Sequence, residues 1–265
     1  MKRVDLNKQE NIEFLLYPDN QPHVTVKNIY EGDDVCVVCS LMDSIKLVQL
    51  LQTANAIDNL FAKKKQLVIP YLMAARYDRL MVPGSGESFD LKVIATPINS
   101  MNFERVYLYD VHSEVSLALI NNCVNVPNIR LVMEYSQPDS VLIVPDAGAT
   151  KKAPKYFEWN KNLTDTVQCV KKRDLTNGNL FLTVLEPEKC ADRNCVIIDD
   201  LCDGGGTFLA IASQIKAKRL TLIVTHGIFS KGTKLFNGIF DEIIVSDSYC
   251  RSCESGIVKI INLIL

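Results

Sequence analysis

Val196-Ile197-Ile198-Asp199-Asp200-Leu201-Cys202-Asp203-Gly204-Gly205-Gly206-Thr207 passes from a β-branched apolar run through an acidic pair into a run of glycines. An apolar stripe of Phe208, Leu209, Ile211, Ala212 and Ile215 follows directly. The segment therefore reads as strand, glycine turn and helix. Consecutive glycines let backbone N–H groups converge on one anion, and a helix start at Thr207 adds unpaired N–H groups whose dipole favours negative charge. That is the make-up of a phosphate cradle. Asp199, Asp200 and Asp203 would repel the phosphate, so their expected work is to accept hydrogen bonds from vicinal ribose hydroxyls or to hold a hydrated metal ion. A tight strand-to-helix turn with solvated carboxylates is the simpler alternative. No Gly-x-x-x-x-Gly-Lys-Ser/Thr occurs, and Gly84-Ser85-Gly86 lacks the third Rossmann glycine. Walker-type and dinucleotide readings are thereby set aside.

Similar apolar runs recur at Val35 to Cys39, Leu67 to Pro70, Arg105 to Tyr109, Val141 to Val144, Leu220 to Val224 and Glu242 to Val245. Runs that do not alternate suit a parallel sheet covered on both faces. Between them Ile45, Val48, Leu51, Ala54, Ile57 and Leu60 recur at three-residue steps, as an amphipathic helix would. Alternating strands and helices predict an α/β fold. Asn121 to Gln137 loses periodicity, carries Pro127 and Asn128 and is followed by Pro138, which reads as a connection between two α/β lobes, 1–128 and 129–265. A single continuous sheet is the alternative.

The chain has 265 residues, 48% hydrophobic and 23% charged, the make-up of a soluble globular protein. Lys plus Arg number 29 against 31 Asp plus Glu, which argues against nucleic acid as a main partner. Nine cysteines, an odd number, fit a reducing compartment, and a cytoplasmic location is expected. The start has no apolar run of the export type and no stretch reaches about 18 apolar residues, so neither an export signal nor a membrane anchor is expected. Cys36 and Cys39, three apart in a strand pattern, point to opposite faces and do not converge on zinc. Cys250 and Cys253 read as a loop pair able to bind metal or to oxidise. Cys202, inside the glycine loop, is expected to block ligand binding when alkylated.

The glycine loop resembles the phosphoribosyl pyrophosphate motif of type I phosphoribosyltransferases: a hydrophobic run, two acids, two further residues, then Asp-Thr-Gly-Gly-Thr. Ile69-Pro70-Tyr71 with Ala75-Arg76-Tyr77-Asp78-Arg79, and Arg105 to Glu114, are similar to the two ATP-site segments of the ribose-phosphate pyrophosphokinase family. Val144-Pro145-Asp146, Lys172-Arg173, Thr225 to Ser230 and Asp241 to Val245 follow in that family's order, so the resemblance runs from about Tyr17 to Asp247. It implies two phosphoribosyltransferase-type lobes, each with a mainly parallel sheet flanked by helices. It also implies magnesium-dependent transfer of a pyrophosphoryl group from ATP to the C1 hydroxyl of a ribose 5-phosphate moiety, by a homo-oligomer.

On the same resemblance, Lys172 and Arg173 are catalytic cations of a mobile loop, Lys171 to Asn179. Tyr17, Asp19, Gln21, Arg76, Tyr77, Asp78 and His112 serve ATP. His112 and Asp146 belong to the metal site. Asp199, Asp200, Asp203, Gly204, Gly205, Gly206 and Thr207 hold the ribose phosphate. His226 falls in a further family segment, although a His-Gly pair ending a strand is also an ordinary turn.

The chain departs from the family pattern in several places. Asp174 replaces a cation of the Lys-Arg-Arg loop, Gly204 replaces a threonine of the cradle, Tyr77 replaces a glutamine, and the ends are shorter. A phosphomonoester dianion wants many donors, whereas a phosphodiester carries one charge and needs room beyond it. Gly204 and Asp174 together therefore point to an acceptor whose 5-phosphate bears a further group, such as ADP-ribose. Asp174 also motivates a different reading, a non-catalytic nucleotide-binding regulator. A phosphoribosyltransferase that consumes phosphoribosyl pyrophosphate ranks last, because the segment around His112 has no role in it.

Overall fold

The computed structural model describes residues 1–82, 84–173, 180–250 and 252–263, with the backbone alone at 172, 173, 180 and 181. The chain divides into two compact units, Met1–Pro127 and Asn128–Leu265.

The first unit runs β1 (Lys2–Asp5), β2 (Ile12–Leu16), β3 (Pro22–Val26), β4 (Asp34–Val38), α1 (Ser44–Asn59), β5 (Lys64–Ile69), α2 (Asp90–Ser100), β6 (Arg105–Tyr109), α3 (Val115–Leu119) and β7 (Cys123–Val126). Five strands form a parallel sheet in the order β1-β4-β5-β6-β7, while β2 and β3 make a separate antiparallel hairpin. Asp43 caps α1, its Oδ1 accepting the Lys46 N–H at 2.8 Å. The buried face of α1 is Leu50, Thr53, Ala54 and Ile57, whereas Ile45 and Val48 are exposed. This corrects the expected stripe. Three-residue steps drift by about 60° each around a helix of 3.6 residues per turn, so such a stripe winds off the core face.

The second unit runs α4 (Ile129–Tyr135), β8 (Ser140–Val144), α5 (Ala147–Trp159), β9 (Leu163–Arg173), β10 (Leu180–Val184), β11 (Asn194–Cys202), α6 (Gly206–Ala212), β12 (Arg219–Gly227), β13 (Glu242–Ser246) and β14 (Val258–Ile261). Its sheet has the order β10-β9-β8-β11-β12-β13-β14, parallel except where β10 returns against β9. Successive residues of the central strands feed opposite cores. Ile143, Ile197, Leu222 and Ile243 pack on one face, and Leu142, Val144, Val196, Ile198, Ile223 and Ile244 on the other. Two covered faces are why the middles of these strands are apolar without alternation.

Three expectations are corrected here. The connection read over Asn121 to Gln137 contains β7 and α4, and α6 ends at Ala212, before Ile215. Lys171, Lys172 and Arg173, expected in a loop, are the last residues of β9, paired with Leu182, Phe181 and Leu180 of β10. Asp174 lies outside the described residues. Among those described, no helix is long and apolar enough to cross a membrane.

Candidate active site

In the second unit the chemistry gathers at the carboxyl ends of the parallel strands, the edge where open α/β sheets bind ligands. Ile197 of β11 lies beside Ile143 of β8, and Leu201 beside His226 of β12. This register brings Asp146, Asp199, Asp200 and His226 to one edge. Asp203 and Gly204 then bend away, Gly205 takes a left-handed φ of +76°, and α6 begins at Gly206. A Cβ on Gly205 would lie 2.5 Å from Cζ of Phe236, so only glycine fits this turn. The Cys202 carbonyl accepts the N–H groups of Ile228 and Phe229 at 2.8 and 3.2 Å, which ties the segment after β12 to the loop.

Asp199 retains some surface, and Asp200 is buried. The Asp200 N–H donates to Asp199 Oδ1 at 2.9 Å. Burial first, then the adjacent Asp200 charge and the Asp146 charge, push the Asp199 carboxyl well above the usual range. Carboxyl groups crowded in this way resist ionisation.

Asp146 does something the sequence reading did not anticipate. Its Oδ1 accepts the Ala149 N–H at 3.0 Å as the cap of α5, and its Oδ2 accepts from Lys171 Nζ at 2.9 Å. His112 belongs to the first unit. Among the described residues no three His, Cys, Asp or Glu side chains form a group able to hold a metal ion. Asp146 is thus a helix cap and an ammonium acceptor.

His226 is a buried member of β12, not part of a turn, with Nδ1 2.9 Å from Ser248 Oγ. Cys202 faces the core with no exposed surface, and burial pushes its thiol up to about 12. A buried, protonated thiol reacts poorly, so alkylation of Cys202 is expected to be slow. The sulfurs of Cys250 and Cys253 approach to 2.7 Å.

Lys231 was missed. A Cβ built on Gly204 would meet its Cε at 3.4 Å and Cδ at 3.5 Å, so the exposed lysine lays its stem over this glycine. The family-like segment was read only as far as Ser230, one residue short.

In the first unit, Arg76 and Tyr77 are exposed next to the buried Asp78. Arg79 Nε donates to Asp78 Oδ1 at 2.7 Å and Ser113 Oγ to Oδ2 at 2.6 Å. The Arg79 guanidinium, then the Ser113 hydroxyl, hold the Asp78 carboxyl at about 2. Asp78 therefore fastens the Arg76 segment to the turn that carries the exposed His112. Tyr17, Asp19 and Gln21 lie in the exposed turn between β2 and β3, where Asp19 Oδ1 accepts the Gln21 N–H at 3.1 Å. Lys172 and Arg173 are placed by backbone alone, at the same carboxyl end of β9 as Lys171.

No protein-family model matches the chain. Individual relatives do. The ribose-phosphate pyrophosphokinase of Thermococcus kodakarensis is 26% identical over 247 residues, covering 89% of this chain and 85% of its own. That of Sulfolobus acidocaldarius is 25% identical over 265 residues, covering 94% and 88%. That of Mycoplasma pneumoniae is 27% identical over 249 residues, covering 88% and 74%. The chain is thus similar over most of its length to ribose-phosphate pyrophosphokinases. The phosphoribosylpyrophosphate synthetase of Mycobacterium smegmatis shares the fold, with a TM-score of 0.79 at 18% identity, over 95% of this chain and 85% of that one.

Proposed function

We propose that the chain transfers the β,γ-pyrophosphoryl group of ATP to the C1 hydroxyl of a ribose 5-phosphate moiety and releases AMP. Similarity to ribose-phosphate pyrophosphokinases over most of the chain supports the diphosphotransferase class. The observation that carries the acceptor side is the pair Asp199 and Asp200 followed by the left-handed Gly205 turn at the carboxyl end of β11. In this reaction the C1 oxygen bonds to the β-phosphorus, the bond from that phosphorus to the oxygen of the departing AMP breaks, and the hydroxyl proton is lost. Positioning and cations do most of such chemistry. Asp199 and Asp200 accept the ribose hydroxyls, while the Asp203 to Thr207 turn holds the 5-phosphate. Lys172 and Arg173 are assigned to the transferred phosphates, and Arg76, Tyr77, His112 and the Tyr17 to Gln21 turn to ATP. Magnesium enters with the ATP phosphates, whose oxygens suit it. A neighbouring copy completes the adenine pocket, so the working form is a homo-oligomer.

The acceptor is a ribose whose 5-phosphate carries a further group, with ADP-ribose the leading candidate. Gly204 supports this reading, because the side-chain space of the family threonine is taken by the flexible stem of Lys231, whose ammonium can follow a second phosphate. Incubation with ATP, magnesium and either acceptor, with AMP as readout, is expected to show faster turnover with ADP-ribose. Faster turnover with ribose 5-phosphate sinks the acceptor assignment, and no AMP from either sinks the reaction. Gly204→Thr is expected to shift the ratio of kcat/KM values at least 10-fold toward ribose 5-phosphate.

A further inference from the structure

The loop that leaves the carboxyl end of β13 and returns to β14 is fastened at two places. Near its start, Ser248 Oγ lies 2.9 Å from Nδ1 of His226 and donates to the Thr225 carbonyl at 3.0 Å, on the strand where His226 stands beside Leu201. Further on, Lys234 Nζ pairs with Glu254 at 3.2 Å and Ser255 Oγ donates to Asn237 Oδ1, which ties the loop to the segment that follows Lys231. Between these anchors Cys250 and Cys253 are half-buried, with their sulfurs 2.7 Å apart. Non-bonded heavy atoms rest at about 3.5–4.0 Å, so the two thiols sit well inside ordinary contact. The other cysteines are buried, except Cys36 on β4 and Cys123 on β7, which β5 and β6 separate in the sheet of the first unit. In a reducing compartment such a pair stays open at rest and closes when an oxidant reaches it.

We propose that Cys250 and Cys253 form a redox-active dithiol that reacts with small-molecule disulfides and, once closed, stiffens the carboxyl edge of the second unit's sheet. Cys250 attacks one sulfur of the reagent, and the first reagent thiol departs. Cys253 then displaces the remaining half from Cys250. The new bond joins the two protein sulfurs, the reagent's sulfur–sulfur bond is broken, and the two hydrogens lost by the protein leave on two reagent thiols. Burial first, then the hydrogen bond with Cys250, pushes the Cys253 thiol up to about 12, which suits it to the second, intramolecular step. The bridge spans the loop between the Ser248 and Glu254 anchors, so closing it holds the His226 end of β12 in place.

Oxidised glutathione added to the full chain is the test, read by intact mass and peptide mapping. The native parent is expected to lose two hydrogens and two of its nine thiols, with Cys250 linked to Cys253, and a dithiol reductant to restore both. Cys253→Ser is expected to stop at a mixed disulfide on Cys250. Cys250→Ser is expected to react roughly 10-fold more slowly, since burial still keeps the remaining thiol protonated. No disulfide in the parent, a bridge between other cysteines, or equal rates for the two variants overturns the proposal. Amide hydrogen exchange then compares the open and closed parent without any variant. Exchange over 225–229 and 247–249 is expected to slow roughly threefold on closure, and unchanged exchange there rejects the stiffening.

Discussion

Gly205→Ala is expected to destabilise the chain by about 3 kcal/mol and to abolish acceptor binding in whatever protein still folds. Two costs add at this position. A left-handed φ of +76° costs a non-glycine residue roughly 1–2 kcal/mol. The new methyl group would also stand 2.5 and 2.8 Å from Cζ and Cε1 of Phe236. Phe236 is fully buried and packed edge-on against Phe229 and Phe240, with centroids at 6.1 and 5.7 Å, so it has nowhere to go. Overpacking of that kind costs about 1–3 kcal/mol. Relief comes only by unwinding the turn that presents the backbone N–H groups of the cradle. Urea denaturation supplies the check, with Gly206→Ala as the comparison. Nothing lies within 4 Å of a Cβ at Gly206, and its backbone is helical, so its stability is expected to stay within about 0.5 kcal/mol of the parent. A Gly205→Ala protein as stable as the parent would show that the turn tolerates a side chain, and the cradle would need another explanation.

The same residues show which parts of this fold are legible in the sequence. Central parallel strands declare themselves because both faces are covered: Val196, Ile197 and Ile198 feed two cores in alternation, leaving no polar position to break the run. Edge strands do not. Lys2-Arg3-Val4-Asp5 and Cys123-Val124-Asn125-Val126 carry polar residues because one side of an edge strand faces solvent, and β7 was accordingly absorbed into a supposed linker. The β9–β10 ribbon is hidden for a related reason, since lysines and arginine at its end look like loop composition although the backbone stays extended. At the site, residue types foretold the cradle and the acidic pair because glycine and aspartate are demanded by backbone and charge. Partners were not foretold. Lys171 finds Asp146, and Ser113 finds Asp78, across separations of 25 and 35 residues that no spacing rule connects.

Asp199→Asn is expected to raise the melting temperature while cutting turnover about 100-fold. In the empty protein Asp199 is crowded by Asp200 and Asp146 and largely withdrawn from water, which raises its folded-state pKa well above the unfolded value near 3.9. A raised acid pKa means the folded chain holds the proton more tightly. The favourable contribution is therefore complete below about pH 4 and is lost progressively as pH rises through the folded-state value. At neutral pH the carboxyl is a liability that asparagine removes, while its Oδ1 still accepts the Asp200 N–H. A gain of about 1–2 kcal/mol corresponds to roughly 3–6 °C at this chain length. Catalysis moves the other way, because hydrogen bonds from ribose hydroxyls to a charged acceptor are each worth about 1.5–3 kcal/mol and asparagine forfeits much of that. The pH profile separates this effect from that of Asp78. The Asp78 carboxyl is held at about 2, so its stabilisation is present above about pH 4 and disappears as pH falls toward 2. Thermal scans of parent and variant from pH 4 to 8 should therefore diverge steadily in favour of Asp199→Asn as pH rises. Parallel curves, or a variant less stable at pH 8 than its parent, would mean that the Asp199 carboxylate is neutralised by a cationic partner in the folded chain.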